Sequence, residues 1–323
     1  MTRYAAGTLL SLFLLLTGCG PDGPLVEQRR TTDFGETELT LVGLEADRAQ
    51  RALSAAAEDL HFIAEVSAPG RPGPLGRTNQ LLALTAEFSA NPSLLPLIRR
   101  AQVLSKRTGG LFNPALGRLH ALWGSAGPPD QTTLRAVLRY GPTMADIVID
   151  GIRMRPTNPA VQLDFGAFAA GYAIDTAMAS LREAGGRRAA VRTAHGLSVL
   201  GQAPTGRWRL TVPLTAGEQA EVTLRGGEAA YTVADAPAHH PERGPIDPRT
   251  GQPATGFHSV TVVAPSAYAT ALLVSGTAHW RRLASSLGVT SVLTVAADGE
   301  FSATPAMTER LKRWPAAHTS PKG

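Results

Sequence analysis

The chain has 323 residues, 43% hydrophobic and 18% charged, an ordinary globular balance with length for one large domain or two closely packed ones. A single cysteine excludes an internal disulfide, so stability must come from core burial. The net charge of +5 is carried by scattered basic residues not interleaved with aromatics in one stripe, so no nucleic acid is expected as partner.

Arg3 precedes an apolar run from Leu9 to Leu16 that ends in Leu16-Thr17-Gly18-Cys19. The run is too short to cross a bilayer as a stable helix, and residues 1–18 read as a signal peptide. A cysteine after Leu-Thr-Gly resembles a bacterial lipobox, which implies lipidation of Cys19 and anchoring to a membrane of the cell envelope, facing the periplasm or the exterior. Residues 19–30 then read as a tether, 31–310 as the globular domain and 311–323 as a flexible tail.

Within the domain, Glu38-Leu39-Thr40-Leu41-Val42 alternates as a strand, and residues 47–66 place Ala49, Leu53, Ala56, Leu60 and Ile63 on one helical face. The Gly/Pro segment 69–76 predicts a non-helical break. A second helix is expected over 92–108, stopped by Gly109-Gly110. Ile147-Val148-Ile149, Asp150-Gly151 and Ile152-Arg153-Met154 predict a hairpin, followed by a strand at Val161-Gln162-Leu163. A helix over 171–184 ends at Gly185-Gly186. Strands are expected at 189–200, 208–212, 221–224, 260–264 and 291–295, with a helix from Ser266 through Gly276 toward Leu287. Helices interspersed with antiparallel-looking strands give an α+β class with at least one mostly antiparallel sheet.

The richest stretch is Leu163-Asp164-Phe165-Gly166-Ala167-Phe168-Ala169-Ala170-Gly171, where a carboxylate-bearing extended end runs through small residues into a helix. Small residues there let a backbone approach a ligand closely. With Ile246-Asp247-Pro248-Arg249-Thr250-Gly251, and with the run from Arg107-Thr108-Gly109-Gly110-Leu111-Phe112-Asn113-Pro114 through Leu122-Trp123-Gly124, it resembles the signature segments of the ApbE family. The resemblance covers residues 37–304 and implies an ApbE-like fold and an FAD:protein FMN transferase. Such an enzyme moves FMN from FAD to a Thr or Ser hydroxyl of an acceptor flavoprotein, releases AMP and uses magnesium.

The same resemblance suggests cofactor contacts at Asp164, Ala170 and Ile246, with ring contacts from Phe34 and Trp123. It implies a metal ligand at the Ala167 backbone carbonyl and another at Thr270, where the family carries a carboxylate. Val274 falls where a family hydroxyl belongs, Gly244 where a family histidine serves as proton acceptor, and Ala170 where the family has Lys or Glu. Arg192-Thr193-Ala194-His195-Gly196 and Tyr231-Thr232-Val233-Ala234-Asp235 depart from two further family segments, and His239-His240 lie a few residues before Gly244. These changes predict weak or absent metal-dependent transfer, with a catalytically degenerate flavin-binding or partner-binding lipoprotein as the competing reading.

Each residue also has a structural reading. Asp164 can cap the following helix, Asp175 can pair with an arginine, Asp247 can close its own turn, and Phe34 and Trp123 can pack in the core. No Gly-x-Gly-x-x-Gly, Walker loop, cysteine cluster or serine-nucleophile motif supports a nicotinamide, NTPase, zinc or serine-hydrolase assignment.

Overall fold

A charged edge ladder begins the computed structural model, which describes residues 19–20, 23–32, 34–70, 72–124, 128–214, 217–235 and 244–312. β1 (Cys19–Gly20) pairs with the start of β2 (Gly23–Thr32), and β2 runs antiparallel along all of β3 (Gly35–Val42). The expected tether is therefore corrected, because residues 23–30 are in β2 with Val26 buried in the main core. Its charges belong to an exposed strand edge, where Arg29 reaches Glu38 on β3 at 3.1 Å. The apolar run 9–16 lies outside the described residues, among which no helix is long and apolar enough to cross a membrane.

Helix α1 (Ala46–Val66) starts where the Glu45 carboxylate accepts the Asp47 and Arg48 N–H groups, and it buries Leu53, Leu60 and Ile63. The Gly/Pro segment is shorter than expected: α2 (Pro74–Ala83) begins with its proline in the first turn, where the missing N–H is harmless. β4 (Phe88–Ser89) precedes α3 (Leu95–Arg107), α4 (Gly117–Trp123) and α5 (Gln131–Leu138). β5 (Ile147–Asp150) and β6 (Arg153–Pro156) form the expected hairpin in a small sheet of order β4-β6-β5. Residues 161–163 are not a strand; only an isolated bridge joins Gln162 to Leu116.

The central helix α6 (Ala167–Glu183) starts earlier than its sequence pattern suggests. The chain then forms β7 (Arg188–Thr193) and β8 (Gly196–Leu200), splitting the single strand expected over 189–200 by a turn at Ala194-His195. β9 (Trp208–Pro213) and β10 (Gln219–Leu224) form a separate hairpin, followed by β11 (Ala229–Ala234) and β12 (Phe257–Val262). Instead of one helix through Gly276, α7 (Ser266–Ser275) stops there with the glycine at φ +76°, and α8 (Trp280–Leu287) starts anew. β13 (Val292–Ala296), β14 (Phe301–Ala303) and α9 (Pro305–Thr308) complete the described chain. Leu311 bridges to Val222 and Arg310 holds Glu228 through two hydrogen bonds of 2.6 and 2.8 Å, so the docked chain extends past residue 310. Residues 313–323 lie outside the described residues.

The main sheet has the order β1-β2-β3-β7-β8-β11-β12-β13-β14, with every neighbouring pair antiparallel. Side-chain alternation divides its two faces. Leu39, Leu41, Ala189, Val191, Tyr231, Val233, Val260 and Val262 join the core under α1, α6 and α7. Ala190, Leu197, Val199, Ala230 and Leu293 face Trp208, Leu210 and Val212 of the β9–β10 hairpin. Helix α7 is buried on nearly every side, which explains its almost wholly apolar sequence.

Candidate active site

Chain direction puts the ends of five strands and the start of one helix at one end of the main sheet. β3, β8 and β12 start there, β7 and β11 finish there, and α6 begins there before running away to feed β7. The result is a cleft of about 1670 Å³ bounded by the β2–β3 turn at Phe34, the β7–β8 turn at Thr193-Ala194-His195, the end of β11 and the start of α6. Leu116 and Ile246, packed with Leu119 and Leu134, form another wall. Asp164 and Ile246, from the two most informative sequence segments, thus line one cleft.

The entry to α6 is held by side-chain clamps. Asn79 Nδ2 donates to the Leu163 carbonyl at 2.9 Å while its Oδ1 accepts the Leu163 N–H at 2.7 Å, substituting for a neighbouring strand. The Asp164 N–H donates to the Pro114 carbonyl at 2.9 Å, and Asp164 Oδ1 accepts the Gly166 N–H at 3.0 Å. Gly166 sits at φ +49° and ψ −137°, a conformation that favours glycine. The first turn of α6 contains no acid, leaving the positive end of a 17-residue helix at a cleft that contains Gly166, Ala167 and Ala170. Such an end favours anionic oxygen groups.

Phe34, Asp164, Ala167, Ala170, Ile246 and Thr270 all line the cleft. Trp123 does not: its indole Nε1–H donates to the Gly251 carbonyl at 2.9 Å, and its ring packs with the cluster around Leu119 and Leu134. The indole donor makes Trp123 a tie between α4 and the Ile246 turn, correcting the expected ring contact. Asp247 closes that turn by accepting the Arg249 N–H at 2.9 Å and gripping its guanidinium at 2.7 Å; Arg249 also donates to the Val274 carbonyl at 3.0 Å. His239 and His240 lie outside the described residues.

Asp175 has a different partner from the arginine expected. The Tyr231 hydroxyl donates to its carboxylate beneath the sheet. Burial raises the Asp175 pKa despite that hydrogen bond and the nearby positive charge of Arg100. Burial likewise lowers the His195 pKa, which favours a neutral ring at neutral pH. Arg192 lies in the cleft wall with its charge partly offset by Glu38 at 3.3 Å, and it also donates to the Arg209 carbonyl.

Sequence reading missed a pair at the cleft margin. His258 Nδ1 lies 3.2 Å from Asp235 Oδ2, both residues line the cleft, and the Asp235 N–H donates to the His258 carbonyl at 2.8 Å. No alternation signals the pair, because the β12 ladder shifts register between Phe257 and Ser259; the Asp235 N–H bond to the His258 carbonyl, one residue beyond the Ala234–Ser259 pairing, is what sets the two side by side.

The donor set does not fit a dedicated magnesium site. The two expected ligands offer a neutral backbone carbonyl and a neutral hydroxyl, while α7 contains no carboxylate. No group of three or more His, Cys, Asp or Glu suited to a metal ion occurs among the described residues. A hard divalent cation binds such neutral oxygens weakly without an anionic partner.

The ApbE family model matches residues 36–293. The chain belongs to the ApbE family. A Rhodobacter capsulatus protein named FAD:protein FMN transferase is 38% identical over 259 residues, covering 75% of this chain and 50% of the relative. A Treponema pallidum protein of the same name is 28% identical over 237 residues, covering 61% of this chain and 65% of the relative. The chain thus spans between half and about two-thirds of these curated relatives. The Pseudomonas stutzeri flavinyl transferase ApbE, apo form, gives a TM-score of 0.76 at 24% identity and covers 90% of this chain and 98% of that structure. The Vibrio cholerae flavin transferase ApbE gives 0.74 at 20% identity over 88% and 99%. These structural likenesses establish the shared α+β fold.

Proposed function

We propose that this protein is an FAD:protein FMN transferase, which binds FAD in the cleft and moves its FMN portion to a Ser or Thr hydroxyl of an acceptor flavoprotein with release of AMP. The observation that carries the reading is the meeting of the two signature segments at one cleft, with the unblocked start of α6 between apolar walls. The 38% identity to a protein of that name adds support.

Under this reading the first turn of α6 receives the diphosphate, where aligned N–H dipoles offset developing negative charge. Phe34 and Ile246 offer apolar contacts to the ring systems, Ala170 leaves room beside them, and Asp164 holds the α6 entry in shape while its free oxygen accepts from the ligand. Magnesium is the metal that the family resemblance implies, and the two expected ligands, the Ala167 carbonyl and the Thr270 hydroxyl, lack an anionic partner in a built metal cluster among the described residues.

The test mixes purified protein with FAD, magnesium and an acceptor carrying a flavinylation motif, then reads covalent flavin fluorescence on a denaturing gel. A labelled acceptor is expected. Absence of a band beside an active relative rejects transfer, and absence of FAD uptake by isothermal titration also rejects a flavin-holding role. The proposed anchor at Cys19 predicts lipid-analogue incorporation that disappears in Cys19→Ser; label retained in that variant rejects Cys19 as the attachment site.

A further inference from the structure

We propose that His258 is the general base that receives the acceptor hydroxyl proton, with Asp235 as its positioning residue. This inference rests on the transferase reading above. A neutral Ser or Thr hydroxyl is a poor nucleophile, so a nearby base must take its proton as oxygen approaches phosphorus. Gly244 occupies the family's proton-acceptor place and has no side chain that can do so.

The His258–Asp235 pair supplies the required chemistry in another part of the cleft. An ionised carboxylate only accepts hydrogen bonds, so its place beside Nδ1 favours the tautomer with hydrogen on Nδ1 and a lone pair on Nε2. The pair is fixed through both side chains and backbone, because the Asp235 N–H also donates to the His258 carbonyl. His258 retains 47% side-chain exposure, which leaves its ring accessible to a hydroxyl presented by another protein. Both His258 and Asp235 line the same cleft as Gly166, Ala167 and Ala170 at the start of α6.

In the proposed step, the acceptor oxygen forms a bond to the FMN phosphorus as the bond from that phosphorus to the oxygen bridging to AMP breaks. The hydroxyl proton moves to His258 Nε2, and the bond electrons leave with AMP. Proton release from the imidazolium to water then restores the base, so the exchange needs no oxidant or reductant.

The experiment compares wild type, His258→Ala, His258→Gln, Asp235→Asn and a His239→Ala/His240→Ala double variant at saturating FAD and acceptor, following covalent flavin. His258→Ala is expected to lower kcat by about 100-fold or more with little change in FAD affinity. Added imidazole is expected to restore at least about tenfold of that loss, a response that lost packing alone would not give. Asp235→Asn is expected to lower kcat by about tenfold without changing FAD affinity. Should His258→Ala impair folding or FAD binding, His258→Gln carries the test because it keeps a polar side chain but no basic nitrogen. Undiminished transfer by the His258 variants, a selective loss in the His239/His240 double variant, or loss without imidazole rescue while FAD still binds overturns the assignment but leaves the transferase reading intact. Failure of wild type to label an acceptor that an active relative labels overturns both.

Discussion

Replacing Gly171 with alanine should drive α6 and α7 apart where Gly171 faces Ser266. An alanine Cβ at 171 would stand 2.6 Å from Ser266 Cβ and closer still to its Oγ, with Tyr231 Cε1 next at 3.5 Å. Ser266 is 5% exposed, and its Cβ cannot rotate away because it is fixed directly to the α7 backbone. Overpacking of this kind costs about 1–3 kcal/mol. Alanine recovers about 1 kcal/mol of helix propensity relative to glycine. The immovable Cβ puts the clash in the upper part of its range, giving a net loss of about 1–2 kcal/mol. For a domain of this size that is a fall of roughly 2–8 °C in Tm.

A second substitution locates the cause. Ser266→Ala removes only Oγ and leaves the 2.6 Å Cβ clash, so it should give partial recovery in the Gly171→Ala background. Ser266→Gly removes both atoms and leaves the ordinary Tyr231 contact, so it should recover most of the loss. Differential scanning calorimetry of the double-mutant series measures the coupling. An unchanged or raised Tm for Gly171→Ala, or a loss from Gly171→Ala that is the same with Ser266 intact as in the Ser266→Gly background, would refute the close-packing argument.

Tyr268→Phe should stabilise the protein by about 1 kcal/mol, because the Tyr268 hydroxyl is buried without a hydrogen-bond partner among the described residues; a fall in chemical denaturation midpoint at unchanged slope would contradict this. Thr270→Asp should tighten magnesium binding by about tenfold by putting a carboxylate at the expected ligand position, which now offers only a hydroxyl, and calorimetry showing unchanged affinity would reject Thr270 as a metal position. Asp175 has a folded pKa above its ordinary 3.8, chiefly through burial, so its contribution to stability is greatest below that value and declines as pH rises through the folded pKa. Asp175→Asn should therefore gain stability relative to wild type across that rise; a pH-independent difference in Tm would show that Asp175 titration is not responsible.

Much of the α+β plan was legible because period-2 alternation in residues 38–42 and helical spacing in α1 record buried faces, and Asp150-Gly151 marks the turn between β5 and β6. The β2 strand was less legible because Glu27, Arg29 and Arg30 occupy an exposed edge, where charge is compatible with both a strand and a tether. The turn inside residues 189–200 was hidden by apolar residues on both sides of it, since both sheet faces are covered. Gly276 was misread as a position within a helix because composition alone does not reveal its positive φ.

For the candidate site, the meeting of Asp164 and Ile246 at one cleft was legible because their short motifs constrain backbone turns. Trp123 was harder to place, since an indole serves equally well as a ligand surface or as a buried hydrogen-bond donor. Asn79 and the His258–Asp235 pair depend on contacts between residues far apart in sequence, which no local pattern around Asn79 or His258 contains. Strand register supplies the second of these contacts only once β11 and β12 are known to be neighbours.

The most direct measurement of the central claim is a crystal structure of this chain grown with FAD. One dinucleotide is expected in the cleft, its diphosphate against the first turn of α6 and its rings near Phe34 or Ile246. FAD bound at another surface, or an empty cleft in crystals of protein shown to be saturated with FAD, would contradict it.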